Sequence, residues 1–304
     1  MLRQAMTTLA QNGWIKERVS ENGFSKGFAL RFVAGETLDE AIAIVSELNR
    51  QRLSVTLDAL GENVSTSDEA ESATRTYCSM LDRLAETKVN SNISVKLTML
   101  GLDLSEKQCV DNLNRVLERA KERGNFIWID MEGSPYTQKT LDIAYEARKH
   151  RPDGVGIVLQ AYLYRTERDV RDAIDRQIPV RLVKGAYAEP ATLAFPRKID
   201  VDAAYRREME LLLDGAKFAA IATHDPYIIE AAKGYIERMN VDRSRFEFQL
   251  LYGVRRDLQR QLVQEGYNVR LYVPYGTQWY PYFMRRMAER PANLLFVLRN
   301  LTQP

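Results

Sequence analysis

Charged and polar side chains recur at one kind of place in this sequence, the ends of short apolar runs. Asp58, Lys96, Asp130 with Glu132, Gln160, Arg181 with Lys184, Thr223-His224-Asp225, Gln249, and Tyr272 with Tyr275 all stand there. A charge inside an apolar strand is costly unless a counter-charge or a ligand meets it, so Lys96, Asp130 and Arg181 are not expected to be idle. Several chemistries fit these residue types. Lys96, Arg181 and Lys184 form a cationic surplus that suits an anion such as a carboxylate, a pyrophosphate or a reduced flavin. A lysine near an acid, Lys96 or Lys184 with Asp130 or Glu132, suits a Schiff-base aldolase. The same groups also suit a structural ion-pair network, or a basic mouth that binds an acidic peptide without catalysis.

A second constellation lies in YGTQWYPYFMRRMAERP, residues 275–291, where Thr277 and Pro281 open a helix. Arg286 and Glu289 are three apart, and Arg285 and Glu289 four apart, so one carboxylate can orient both guanidiniums. Two oriented guanidiniums bind a small carboxylate through paired hydrogen bonds. The alternative is a solvated surface pair. The surrounding Tyr272, Tyr275, Trp279, Tyr280 and Tyr282 favour a binding mouth, because so many rings are not expected all to face water.

The elements that position these residues are legible as periodicity. Eight β-rich runs follow one another: 53–60, 93–98, 126–132, 155–160, 180–185, 217–223, 246–251 and 269–276. Amphipathic segments separate them, opened by capping signals at Thr37 with Glu40, Ser105 with Gln108, and Asp225-Pro226. The runs are too apolar for a wet face, as parallel strands covered by helices are. Eight strand–helix units in roughly 250 residues is the arithmetic of a (β/α)8 barrel, an α/β fold whose chemistry sits at the carboxyl ends of the strands. A doubly wound sheet is the alternative, but no glycine-rich phosphate loop is present. Residues 1–50 read as an N-terminal helical arm, expected to cap the barrel's lower mouth, and 51–304 as the barrel, one structural domain in all.

Composition excludes other classes. The 304 residues carry 43 Lys+Arg against 41 Asp+Glu, a formal net charge of +2, and are 45% hydrophobic. Near-neutral charge argues against nucleic acid as a partner. Two cysteines and two histidines supply neither a disulfide framework nor a Cys/His zinc site. No apolar run is long enough to span a bilayer, and no secretory leader is legible, so the expected location is cytoplasmic, with contact at a membrane surface left open.

The motifs KLTMLGLDLS, IDMEGS, VLQAYLYRTERD, RLVKGAY, ATHD, FEFQLLYGV and YVPYGTQWYPYFMRRMAERP, in this order and at the strand ends, together resemble the FAD-dependent proline dehydrogenase family in its single-function bacterial form. The likeness runs from about residue 28 to the end. It implies a distorted (β/α)8 barrel with non-covalent FAD that oxidises L-proline to Δ1-pyrroline-5-carboxylate, the first step of proline catabolism to glutamate. Hydride passes from proline C5 to flavin N5 and the electrons go on to a membrane quinone, with possible peripheral attachment to the inner face of the cell membrane. A fused aldehyde dehydrogenase has no room in this length, so the product is expected to pass to a separate pyrroline-5-carboxylate dehydrogenase.

Carried over by position, the resemblance implies that Arg285 and Arg286 hold the proline carboxylate, that Glu289 orients them, and that Lys96 is a further basic contact. Asp130 would sit beside the reacting ring, Arg181 would donate to flavin N5, and Tyr272 with Leu251 would exclude larger substrates. Met131, Gln160, Val183, Lys184, Gly185, Ala186, Tyr187, Thr223, His224 and Gln249 would surround the cofactor, with Arg197 and Lys198 toward its adenine half.

Overall fold

The computed structural model describes residues 31–282 and 284. Eight parallel strands close in sequence order into a barrel: β1 (Ser54–Ala59), β2 (Ser91–Val95), β3 (Ile127–Ile129), β4 (Val155–Gln160), β5 (Val180–Val183), β6 (Ala219–Ala222), β7 (Phe246–Leu251) and β8 (Val269–Tyr275). Each expected run contains one of them except 93–98, which overlaps β2 but starts two residues late and runs past its end at Val95. Closure comes from β1 against β8, with Ser54 opposite Arg270 and Ala59 opposite Tyr275.

The helices are α1 (Leu38–Arg50), α2 (Ser67–Thr87), α3 (Glu106–Glu122), α4 (Thr137–His150), α5 (Thr166–Asp175), α6 (Lys198–Gly215), α7 (Pro226–Met239) and α8 (Arg256–Gln264). Period-two alternation divides each strand. Val55, Leu57, Ile93, Val95, Leu182 and Phe248 face outward and are buried under the helices. The alternate positions face the barrel axis, and many of these are polar.

Capping follows the sequence signals with one difference. Thr37 and Glu40 make a reciprocal capping box, and Asp225 accepts the backbone N–H of Tyr227 ahead of α7. At α3 only half of the expected box exists: Ser105 accepts from the backbone of Gln108, and no return bond from the Gln108 side chain is made to the cap. That side chain accepts instead from the Ser67 hydroxyl, tying α3 to α2.

The described part of residues 1–50 does not close the lower mouth. α1 packs on β1 and β8, filling the outer-layer place between the first and last strands. Ahead of it, residues 31–36 lie over the upper rim. The Ala34 N–H donates to the Pro274 carbonyl, and the Gly276 N–H to the Gly35 carbonyl. Gly253, just after β7, lies so close that a Cβ there would stand 1.8 Å from the Arg31 carbonyl oxygen, at a φ of +75° that already favours glycine. The chain thus enters the described structure on the face that carries the site.

One buried group works against the fold. Glu208 on α6 is 3% exposed, and its Oε2 has no hydrogen-bond partner. Burial pushes its carboxyl up to about 9, with Glu167 and Asp169 adding and Arg207 opposing. An acid whose folded pKa is raised costs stability as pH climbs from the unfolded value toward the folded one. Glu208→Gln should therefore stabilise the protein, by little near pH 5 and by on the order of 3 kcal/mol at pH 8. Urea unfolding across that range measures it, and a difference that does not grow with pH would refute the assignment.

Candidate active site

The axis-facing positions are joined by a network of paired charges. Lowest on β7 and β8, Arg270 Nε donates to Glu247 Oε1 at 2.7 Å and Arg270 Nη1 to the Val55 carbonyl at 2.8 Å. One step up β7, Gln249 Nε2 donates to the same Glu247 oxygen at 2.6 Å. From β5, Arg181 Nη1 donates to Asp130 Oδ1 and to Ser94 Oγ, each at 2.9 Å, and Nη2 to Thr56 Oγ1 at 3.3 Å. Its guanidinium lies over the Trp128 ring, 4.7 Å from the centroid. Gly156 on β4 makes room for that ring, since a Cβ there would stand 2.5 Å from it. Nearer the mouth, the Tyr272 hydroxyl donates to Asp130 Oδ2 at 2.8 Å, and the Lys96 ammonium donates to Asp58.

Burial sets the protonation of these groups. It pulls the Arg181 guanidinium below its ordinary value, with Asp130 opposing. Burial also works against the Lys96 ammonium, but Asp58 and Asp130 outweigh it and hold the proton more tightly than in water. Burial together with Asp130 and Asp58 raises Tyr272 far above its ordinary value, so its proton stays on the phenol.

These findings correct two expectations. The described ring has no cationic surplus, because Lys96, Arg181 and Arg270 are each met by Asp58, Asp130 and Glu247. Nor does it offer a Schiff-base lysine, which needs an amine that loses its proton readily. Lys96 has the opposite setting, Lys184 sits between two carboxylates, and Glu132 is engaged by the Thr98 N–H and hydroxyl.

Around the rim, Lys184 Nζ donates to Asp202 Oδ1 at 2.5 Å and Asp225 Oδ2 at 2.8 Å, and Lys198 reaches the same two carboxylates. Burial would raise Asp225, but the two lysines bring it down to about 2. Gly185 has a φ of +107°, and a Cβ there would stand 2.3 Å from the Tyr162 ring. Gln160 Nε2 donates to the Glu132 carbonyl at 2.8 Å, beside buried Met131. Thr223 Oγ1 accepts the Asp225 N–H, and His224 Nε2 accepts the Leu251 N–H at 2.9 Å, which puts the imidazole proton on Nδ1.

Lys96, Asp130, Gln160, Arg181, Gln249 and Tyr272 therefore share the barrel's inside, with Val183 and Leu251 half-buried at strand ends and Lys184, Gly185, Ala186, Tyr187, Thr223 and His224 just beyond strand ends. Arg197 stands apart, exposed and bound bidentately to Asp200. Arg285, Arg286 and Glu289 lie outside the described residues. Trp279, Tyr280 and Tyr282 are buried and do not face water. The sequence reading gave no role to Asp58, Glu247, Arg270, Trp128 or Asp202. Glu247 and Arg270 do carry a legible signal, since each is a charge at the same two-residue parity as Gln249 and Tyr272 in an apolar strand.

A family model for proline dehydrogenase matches residues 41–299. Proline dehydrogenase 1 of Bacillus subtilis strain 168 is 42% identical, covering 99% of both chains. The proline dehydrogenase of Deinococcus radiodurans is 37% identical over 99% of this chain and 98% of its own. Among solved structures, proline utilization A (PutA) from Bdellovibrio bacteriovorus inactivated by N-propargylglycine superposes with a TM-score of 0.83 at 27% identity; the match covers 95% of this chain and 36% of that one. With a family model spanning most of the sequence and near-complete coverage of both bacillar and deinococcal relatives, the chain belongs to the proline dehydrogenase family.

Proposed function

We propose that this protein oxidises L-proline to Δ1-pyrroline-5-carboxylate with a non-covalently bound FAD, the first step of proline catabolism to glutamate. A membrane quinone takes the electrons, reached by peripheral contact from the cytoplasmic side, and a separate pyrroline-5-carboxylate dehydrogenase takes the product. Support begins with full-length likeness to proteins named for this activity.

The observation that carries the cofactor reading is Arg181. Its Nη atoms are fixed by Asp130, Ser94 and Thr56, while its Nε is buried with no partner. A buried orphan donor on a guanidinium whose two Nη atoms are both engaged fits an acceptor supplied by a ligand. The rim fits the rest of such a molecule. Lys184 and Lys198 are each paired with Asp202 and Asp225 but keep an ammonium proton for a pyrophosphate oxygen, and Gly185, whose bare side faces the Tyr162 ring, lies beside them. Val183, Ala186, Tyr187, Thr223, His224, Gln249, Gln160 and Met131 would line the remainder, with Arg197 outermost. The flavin, when bound, supplies the two-electron acceptor for the hydride of proline C5.

The chain's own residues would do the placing. Lys96 would bind the proline carboxylate together with Arg285 and Arg286, which Glu289 orients. Tyr272 is held by its bond to Asp130 and stands opposite Leu251 in the strand register, so the two form a fixed wall that admits a small ring and refuses a larger one. Arg181, anchored by Asp130, would offer positive charge where negative charge develops.

The purified protein should be yellow, absorb near ~450 nm as oxidised flavins do, and bleach when L-proline is added without oxygen. A colourless protein that borohydride traps with a ketone would overturn the proposal. Arg181→Lys should slow flavin reduction by about 100-fold while changing the affinity for a proline analogue far less. Stopped-flow reduction and analogue titration separate the two effects, and a collapse of affinity with an unchanged rate would remove Arg181 from the reaction.

A further inference from the structure

Lys96 follows directly after β2, and the Tyr77 hydroxyl of α2 accepts its backbone N–H at 3.3 Å. Its ammonium donates to Asp58 from the neighbouring strand β1, and the two side chains are only 10% and 3% exposed. An ammonium carries three protons, and this bond uses one of them. A second carboxylate, Asp130, also acts on Lys96 through space. Asp130 is already committed, with Oδ1 to Arg181 and Oδ2 to Tyr272. Asp58 also feels the Tyr272 hydroxyl, which gives its one proton to Asp130. Two cations, two carboxylates and one phenol thus share a small buried space, and the observed partition, Lys96 with Asp58 and Arg181 with Asp130, gives each cation its own acceptor.

We infer that Asp58 is a positioning residue: it holds the Lys96 ammonium away from Asp130, so that Lys96 keeps two donors for a substrate carboxylate and Asp130 stays with Arg181 and Tyr272. This rests on the reading that Lys96 contacts the carboxylate of proline. The opposite expectation follows from charge alone, since Asp58 is an anion close to where the substrate's anion would lie, and neutralising it should tighten binding. Geometry reverses that sign. A buried ammonium deprived of its partner does not stay unpaired. It would turn to Asp130, give up its alignment toward the substrate and take an acceptor from Arg181 or Tyr272.

The test compares the flavin-loaded Asp58→Asn, Asp58→Glu, Lys96→Met and Asp58→Asn/Lys96→Met proteins. The readouts are KM and kcat for L-proline and the dissociation constant of cyclopentanecarboxylate, which keeps the ring and carboxylate but has no nitrogen to oxidise. Asp58→Asn should raise KM and the analogue's dissociation constant by roughly 10- to 100-fold, with a smaller fall in kcat. Asp58→Glu should recover part of the loss. The double variant should bind the analogue no more weakly than Lys96→Met alone, because Asp58 acts through Lys96. Tighter analogue binding in Asp58→Asn, or losses that simply add, would overturn the inference. So would a fall in thermal stability with parental KM and analogue affinity, since that is what a merely structural ion pair gives. If Asp58→Asn does not fold, the double variant, which removes both charges, is compared with Lys96→Met, and any further loss of affinity counts against the proposal. The two layers of argument separate cleanly. An unchanged KM in Lys96→Met defeats the underlying reading and this inference together, whereas a raised KM there with an unchanged one in Asp58→Asn defeats the inference alone.

Discussion

A charge inside a closed barrel must be answered by a counter-charge within a few ångström, and the interior of this protein is arranged around that condition. Neighbouring strands supply two of the answers, Asp58 with Lys96 across β1 and β2, and Glu247 with Arg270 across β7 and β8. The third is longer in reach. Arg181 on β5 must pass over β4, where Val158 is its partner in register, to meet Asp130 just after β3. Two residues lower on β4, Gly156 leaves space for the Trp128 ring, and the guanidinium rests over that ring. One glycine thus permits the stacking.

The outer layer has a consequence for the same face. In a regular barrel the helix after the last strand covers the seam between the last and first strands. Here α1, which precedes β1, covers it. The segment after β8 is therefore not required on the flank, and it starts a helical turn at the upper rim instead, with Trp279 Nε1 donating to Glu36 Oε1 at 3.3 Å. In the sequence Arg285 and Arg286 follow directly from that turn. With the seam filled from the N-terminal side, the described residues after β8, through Tyr282, stand at the upper rim.

The architecture was legible in the sequence because each level of signal agreed: β-branched outward positions, capped amphipathic helices and eight repeats. Side-chain facing was legible too, since parity alone puts Gln249 and Tyr272 inside. Pairing was not. Arg181 meets Thr56 across 125 residues and Tyr272 meets Asp130 across 142, and such partnerships depend on closure and on how far the strands are staggered, which no local pattern records. Among the described residues the expected cationic surplus is absent for the same reason. Lys184 and Lys198 were visible as cations, but Asp202, a turn into α6, and Asp225, the cap of α7, come together with them only when β5 and β6 stand side by side. Ser105 shows the limit on a smaller scale: its spacing to Gln108 satisfied the capping pattern, yet tertiary contact with Ser67 claimed the glutamine.

Such an interior is not the most stable one available. Buried ion pairs give back much of their attraction as lost hydration, and apolar residues of the same volume would often hold a barrel at least as well. Two atoms show the cost directly, since Arg181 Nε and Trp128 Nε1 are buried and unmatched. What the polar interior provides is orientation. The Tyr272 phenol, kept protonated by burial and two carboxylates, gives its one proton to Asp130, so Asp130 is fixed as an acceptor, and Asp130 in turn fixes the Arg181 guanidinium. Lys96 and Arg181 both feel the Asp130 carboxylate, so a change at either cation alters the field at the other. The ion pairs and the phenol act as one unit, so substitutions within it should combine non-additively, as members of a shared network do.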